Sequence, residues 1–216
     1  MKDDSSSPIL TEVTGSIAIM RFNRPAERNP LSVDTLQHLE RETQSLFARK
    51  DIRAIIFTGT EGVFAAGANI RELARLDREA ALKFSRRGQH LFQSIADARH
   101  LTIAAINGYC IGGGLDLALA CNIRVASSAA VFSHPGARLG IITGWGGTQR
   151  LPRLIGRQRA TELFATGRRL GSEMALSIGL VTRVEDPILL CAVQIARAYA
   201  NTQTQYRSAR ILVSHS

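Results

Sequence analysis

The feature that most constrains this chain is a junction that occurs twice, in which an apolar extended run enters a cluster of small residues and a helical pattern leaves it. One junction is Phe64-Ala65-Ala66-Gly67-Ala68-Asn69-Ile70, the other Asn107-Gly108-Tyr109-Cys110-Ile111-Gly112-Gly113-Gly114-Leu115-Asp116. Small residues at the start of a helix let its free backbone N–H groups approach an oxygen closely. Two such groups aimed at one carbonyl oxygen form an oxyanion hole. A glycine cluster before a helix also serves as a tight packing turn. Taken alone, the junctions leave both readings open.

The flanking pattern places them in an α/β chain. Residues 16–22 read as a strand, with residues 10–13 as its partner. Ser32 is the expected N-cap of a helix to about Lys50, with Leu36, Leu39, Leu46 and Phe47 at helical spacing. Residues 54–57 form a short strand, followed by a loop over 59–67. A short helix begins near Arg71. A longer one, from about Glu79 to Ala98, puts Phe84, Leu91, Phe92 and Ile95 on one face. Residues 101–106, 123–126, 131–133 and 181–184 read as strands. The segment after Gly112–Gly114 reads as a helix to about Ala120, residues 148–155 and 158–164 as helices, and Pro187 as the opening of the last helix. Strands alternating with helices predict a substantially parallel sheet. The expected organisation is a tail over 1–9, a core over 10–186 and a C-terminal helical segment over 187–216.

At 216 residues, 45% hydrophobic and 21% charged, the chain is neither disordered nor fibrous. The longest apolar stretch, residues 101–115, contains Thr102, Asn107 and four glycines, so no membrane-spanning helix is expected. The start, MKDDSSSPIL, has no apolar segment of a secretory signal, and a cytoplasmic location is expected. Cys110, Cys121 and Cys191 are odd in number and make no CxxC pair; buried thiols are expected rather than a disulfide or a metal site. The net charge of +9 is lopsided. Residues 1–108 carry 15 basic and 13 acidic side chains, and residues 109–216 carry 12 and 5. An anionic ligand and a solvated basic surface both fit this imbalance.

The segments FAAGANI, AAINGYCIGGGLDLALACNIRVAS, FSHPGARLGIITGWGGTQRLPRLIG and TG-x5-EMALSIGLVTRV, together with NRP-x3-N at Asn23 to Asn29, resemble the crotonase superfamily of enoyl-CoA hydratases and isomerases. The resemblance spans roughly residues 10–200. It implies a spiral of repeated ββα units, usually a homotrimer or dimer of trimers, and an acyl-CoA thioester substrate in fatty acid metabolism, with coenzyme A as part of the substrate and no separate cofactor. By match, the N–H groups of Ala68 and Gly113 hold the thioester oxygen and stabilise an enolate. Ala66, Gly67, Asn69, Ile70 and Arg71 then line the CoA, with Ala26, Glu27 and Arg28 alongside.

The chain departs from the family pattern at the acid–base positions. Hydratases of this family use two glutamates around one water. The first corresponds to Asp116, and the second to Gly136 in Ser133-His134-Pro135-Gly136. One carboxylate is thus shortened and the other absent, which argues against hydration. By this logic a glutamate restored at Gly136 supplies the missing group. Asp116 is a candidate acid or base, or else complements the helix dipole. His134 is a candidate replacement acid or base, or else a packing histidine. Trp145 stands where the family usually has a small residue, and either shapes the acyl pocket or packs in the core or an interface. The C-terminal helical region is expected to be shorter than is common in the family, leaving the acyl site more open or covered by a neighbouring subunit.

The leading expectation is an acyl-CoA enzyme of the enoyl-CoA hydratase/isomerase type. A decarboxylase-like acyl-CoA enzyme needs less acid–base equipment and is the first alternative; a non-catalytic acyl-CoA-binding homologue is the second. Nucleic-acid binding ranks last, because Glu72 and Asp77 interrupt the arginines at 71, 75 and 78 and no aromatics interleave them.

Overall fold

The computed structural model describes residues 7–213, with side chains described to residue 202. The tail expected over 1–9 lies outside the described residues as far as residue 6. Twelve strands and eight α-helices follow one another as β1 (Ile9–Thr14), β2 (Ile17–Phe22), β3 (Pro30–Leu31), α1 (Val33–Ala48), β4 (Ala54–Thr58), β5 (Val63–Ala65), β6 (Gly67–Ala68), α2 (Ile70–Leu73), α3 (Arg78–Ala96), β7 (Leu101–Ile106), β8 (Tyr109–Ile111), α4 (Gly113–Ala120), β9 (Ile123–Ala126), β10 (Val131–Ser133), α5 (Gly147–Ile155), α6 (Arg157–Thr166), β11 (Leu170–Gly171), α7 (Ser172–Ser177), β12 (Arg183–Val184) and α8 (Ile188–Val213). The main sheet has the order β1-β2-β4-β7-β9-β12, antiparallel only between β1 and β2. A second sheet runs β11-β10-β8-β5, and β3 pairs in parallel with β6.

This connectivity is a spiral. Each turn contributes a strand to the main sheet, one or two very short strands to the smaller sheets, and then a helix: β2-β3-α1, β4-β5-β6-α2-α3, β7-β8-α4, β9-β10-α5. The expected ββα repeat is present. Inter-strand parallel pairing requires such crossovers. The main sheet is covered on both faces, which explains its continuous apolar strands. Ala18, Met20, Ile55, Phe57, Ala104 and Ile106 face the larger core, while Ile17, Ala54, Ile56, Ile103 and Ala105 face Ile188, Cys191, Ala192 and Ala196 of α8.

Helix ends follow local chemistry. The Ser32 hydroxyl accepts from the Thr35 N–H and starts α1, and the Asp77 carboxylate accepts from the Ala80 N–H at the start of α3. Helix α4 is buried all round from Gly114 to Ala120, as expected of a helix at the centre of a layered fold. Its C-terminal end is held by the buried Arg124, whose Nε donates to the Leu180 carbonyl (3.0 Å) and whose Nη1 donates to the Cys121 carbonyl (2.7 Å). A cation there complements the helix dipole. Replacing it by the apolar Arg124→Met leaves both carbonyls unpaired, and unfolding in urea should report a loss of about 1–3 kcal/mol. An unchanged midpoint and slope would remove Arg124 from the groups that anchor α4.

All three cysteines are free and buried, and burial pushes the Cys121 thiol up to about 12. Among the described residues no helix is long and apolar enough to cross a membrane.

Candidate functional site

The two small-residue junctions lie in different turns of the spiral, and the fold presses them together. Gly67 has φ +86°, a left-handed conformation that glycine adopts without strain. A Cβ built on Gly67 would stand 2.8 Å from the backbone nitrogen of Gly113. Ala68 follows in β6, paired with Leu31, and Gly113 opens α4 behind Gly112 at φ +54°. The N–H of Gly112 donates to the Ser133 carbonyl (2.9 Å), tying this turn to β10. The first N–H groups of an α-helix have no partner within the helix.

The expected CoA-lining residues also converge. Ala26, Glu27 and Arg28 lie on an exposed 3-10 turn. The buried Asn29 shapes that turn: its Oδ1 accepts from the Arg24 N–H and its Nδ2 donates to the Val63 carbonyl, both at 2.7 Å. The Ala66 N–H donates to the Arg28 carbonyl at 3.0 Å, so the two segments run side by side. Asn69 caps α2 by accepting from the N–H groups of Arg71 and Glu72, and Ile70 and Arg71 are exposed next to it.

Asp116 sits one turn into α4 and is wholly buried. Its Oδ2 accepts a hydrogen bond from the Thr143 hydroxyl. Its Oδ1 lies 3.1 Å from Nε2 of the buried His134, without the alignment of a full hydrogen bond. The His134 ring packs on Phe164 with centroids 5.1 Å apart. His134 lines a cavity of about 180 Å3 with Gly136, Ile141, Ile142, Thr143 and Phe164. A second cavity of about 330 Å3, lined by Gln89, Gln93, Trp145 and Arg150, has Thr143 in its wall too, and Asp116 lines neither.

Gly136 belongs to a 3-10 turn over Pro135–Leu139, and its carbonyl accepts from the Ile141 N–H at 3.0 Å. A Cβ there would stand 2.6 Å from the Ile141 carbonyl oxygen. The turn is too tight for any side chain without backbone movement, so a glutamate at this position does not simply fill an empty space.

Trp145 is a core residue, 5% exposed, with ring centroids 5.1 Å from Phe84 and 5.5 Å from Phe92. The indole also covers Gly113, where a Cβ would stand 2.4 Å from its Cζ3. The sequence left a core and a pocket position as alternatives; the side chain packs in the core and at the same time backs the second junction. Thr143, which sequence reasoning passed over, is the hydroxyl that reaches Asp116. Its only signal was a polar residue within an otherwise apolar and glycine-rich stretch. Among the described residues no cluster of histidine, cysteine and carboxylate side chains could hold a metal ion.

A ββα spiral with two backbone junctions pressed together defines a crotonase-type α/β protein. The family model for enoyl-CoA hydratase/isomerase matches residues 12–213, and the chain belongs to that family. It is 38% identical to the short-chain-enoyl-CoA hydratase of Clostridium acetobutylicum over 180 residues, which are 83% of this chain and 69% of that protein. Among solved structures, Pseudomonas aeruginosa DspI superposes with a TM-score of 0.86 at 35% identity, covering 92% of this chain and 77% of its own. The enoyl-CoA hydratase of Bacillus anthracis gives a TM-score of 0.86 at 34% identity, covering 89% and 76%.

Proposed function

We propose that this protein binds an acyl-CoA thioester with its carbonyl oxygen between the N–H groups of Ala68 and Gly113, and that it stabilises the thioester enolate there. The observation that carries this reading is the approach of Gly67 to the Gly113 nitrogen, possible only because neither junction bears a side chain at that point. Charge that develops on the oxygen meets dipoles already in place, which is where such sites gain most of their rate. The exposed turn at Ala26, Glu27 and Arg28 and the strip from Ala66 to Arg71 run alongside for the CoA moiety. The assembly is a homotrimer or a dimer of trimers, as is usual in the family. Calorimetry with butyryl-CoA and with S-butyl-CoA, which lacks the carbonyl, tests the reading. The thioester should bind measurably more tightly, and equal affinity would refute it.

Two of the named relatives, from Clostridium acetobutylicum and Bacillus anthracis, are enoyl-CoA hydratases, but the tight glycine turn at Gly136 favours a different outcome here. Water addition needs a second acid–base group, and one such group is commonly worth ~10²–10⁴-fold. Crotonyl-CoA hydration, followed by loss of the conjugated absorbance, should fall short of an ordinary hydratase by at least ~10²-fold. Gly136→Glu should not restore it, because its Cβ would meet the Ile141 carbonyl oxygen at 2.6 Å. Rapid hydration by the unmodified protein would sink this reading. An enolate reaction that needs no added water, of the decarboxylase kind, fits the site better.

A further inference from the structure

We propose that His134 is the acid–base group of this site, and that Asp116 and Thr143 are positioning residues that hold it. The inference rests on the acyl-CoA reading above and deepens it. Three side chains from three separate segments form one chain of contacts, with Asp116 and His134 buried and Thr143 half-buried. The Thr143 hydroxyl donates to Oδ2 of Asp116, and Oδ1 of Asp116 faces Nε2 of His134 at 3.1 Å. Of the two ionisable groups, His134 alone reaches a cavity; Asp116 is wholly buried and lines neither.

The direction of the chain follows from hydrogen-bond chemistry. A carboxylate only accepts, so the ring nitrogen facing it carries the proton. With Nε2–H turned to Asp116, Nδ1 is the nitrogen left with a free lone pair, and it serves as the base. A hydroxyl on the other carboxylate oxygen removes one rotational freedom of Asp116 and so fixes where Oδ1 lies. The contact between Oδ1 and Nε2 is close but out of line, as catalytic hydrogen bonds often are before substrate binds. The same geometry explains why one shortened and one absent carboxylate, relative to a two-glutamate site, coexist with a buried ionisable pair: the carboxylate is used to hold a base and not to act as one.

The step balances without any further reactant. Nδ1 takes the proton from the α-carbon of the bound thioester, and the C–H electron pair moves through the C–C bond onto the carbonyl oxygen, giving the enolate between the two N–H groups. The imidazolium then returns a proton to the α-carbon or, for an unsaturated chain, to the γ-carbon, and the electrons return. Nothing is oxidised or reduced. The cavity beside His134 is about 180 Å3, below the ~300–1,000 Å3 of pockets that enclose a drug-sized ligand, and Ile141, Ile142 and Phe164 give it apolar walls. It suits a short acyl chain.

The test is exchange of the α-protons of butyryl-CoA with D2O, followed by proton NMR, on the full chain. It reads proton abstraction whatever the overall reaction is. The unmodified protein should exchange well above the buffer rate. His134→Gln should slow exchange by ~10²-fold or more. Thr143→Val should slow it by ~10–100-fold, by analogy with the loss of residues that orient metal ligands. Thr143→Ser, which keeps the hydroxyl, should recover most of the rate. Exchange in His134→Gln at the unmodified rate overturns the proposal, as does Thr143→Ser being as slow as Thr143→Val, which would assign the effect to packing. If His134→Gln does not fold, the valine and serine variants decide. Calorimetry separates the two levels: no butyryl-CoA binding by the unmodified protein refutes the acyl-CoA reading itself, whereas binding without exchange refutes only the base.

Discussion

Gly113→Pro should process any acyl-CoA substrate at least ~100-fold more slowly than Gly113→Ala. Both variants place a Cβ against the Trp145 ring, where it would meet Cζ3 at 2.4 Å, so both disturb the same contact. They differ in the backbone N–H, which alanine keeps and proline lacks. Proline is otherwise tolerated at the first helical position, and Gly113 is that position in α4. Losing one oxyanion donor costs about 2.7–4 kcal/mol, or ~10²–10³ in rate. Circular dichroism establishes that each variant is folded, and steady-state rates with one substrate supply the comparison. Equal rates for the two would remove the Gly113 N–H from the chemistry. Both variants slowed equally against the unmodified protein would instead assign the loss to the Trp145 contact.

The sequence reads well wherever an element is long enough to carry a period. The helix α1 was expected from Ser32 and its leucines, and α3 from Phe84, Leu91, Phe92 and Ile95; all these phenylalanines and leucines but Phe47 are buried. The strands β2, β4, β7 and β9 appear close to their expected bounds. The second layer is different. β3, β5, β6, β8 and β11 are two or three residues long, less than two periods of alternation, and residues 59–67 were expected to be one loop. Helix α7 was missed for the same reason, at six residues. Only the family resemblance supplied the ββα repeat.

The site divides along another line. Backbone features announce themselves through composition, because only small residues permit the approach of Gly67 to Gly113. Side-chain partnerships do not. Asp116 and His134 are 18 positions apart, and nothing periodic links them; their contact exists because β8 and β10 are neighbours in the second sheet, which puts the start of α4 beside the end of β10. Thr143 enters through a loop whose path no local propensity specifies. Gly136 is instructive in the opposite sense. The family resemblance implies a carboxylate at this position, but only the distance to the Ile141 carbonyl oxygen shows that the surrounding turn has no room for a side chain.

Trp145→Ala should lower stability by about 3–5 kcal/mol, the range for truncating a buried large aromatic. The side chain packs against Phe84 and Phe92 of α3 and covers Gly113 of α4, so its removal leaves a cavity between two helices that nothing nearby can fill. A residue that merely shaped an acyl pocket would give a small stability change and an altered preference for chain length. Gly88 provides an internal control. It lies within α3, and a Cβ there would stand 2.3 Å from Trp145 Nε1. In the unmodified protein Gly88→Ala should therefore destabilise by about 1–3 kcal/mol through overpacking. With Trp145→Ala already present, the same change meets no indole and gains the ~1 kcal/mol by which alanine is favoured over glycine inside a helix. The effect of one methyl group should thus reverse sign between the two backgrounds, a coupling that urea unfolding of the four proteins measures directly. If Gly88→Ala has the same effect in both, the indole does not fill the space between α3 and α4, and the account of Trp145 as the packing element behind Gly113 fails with it.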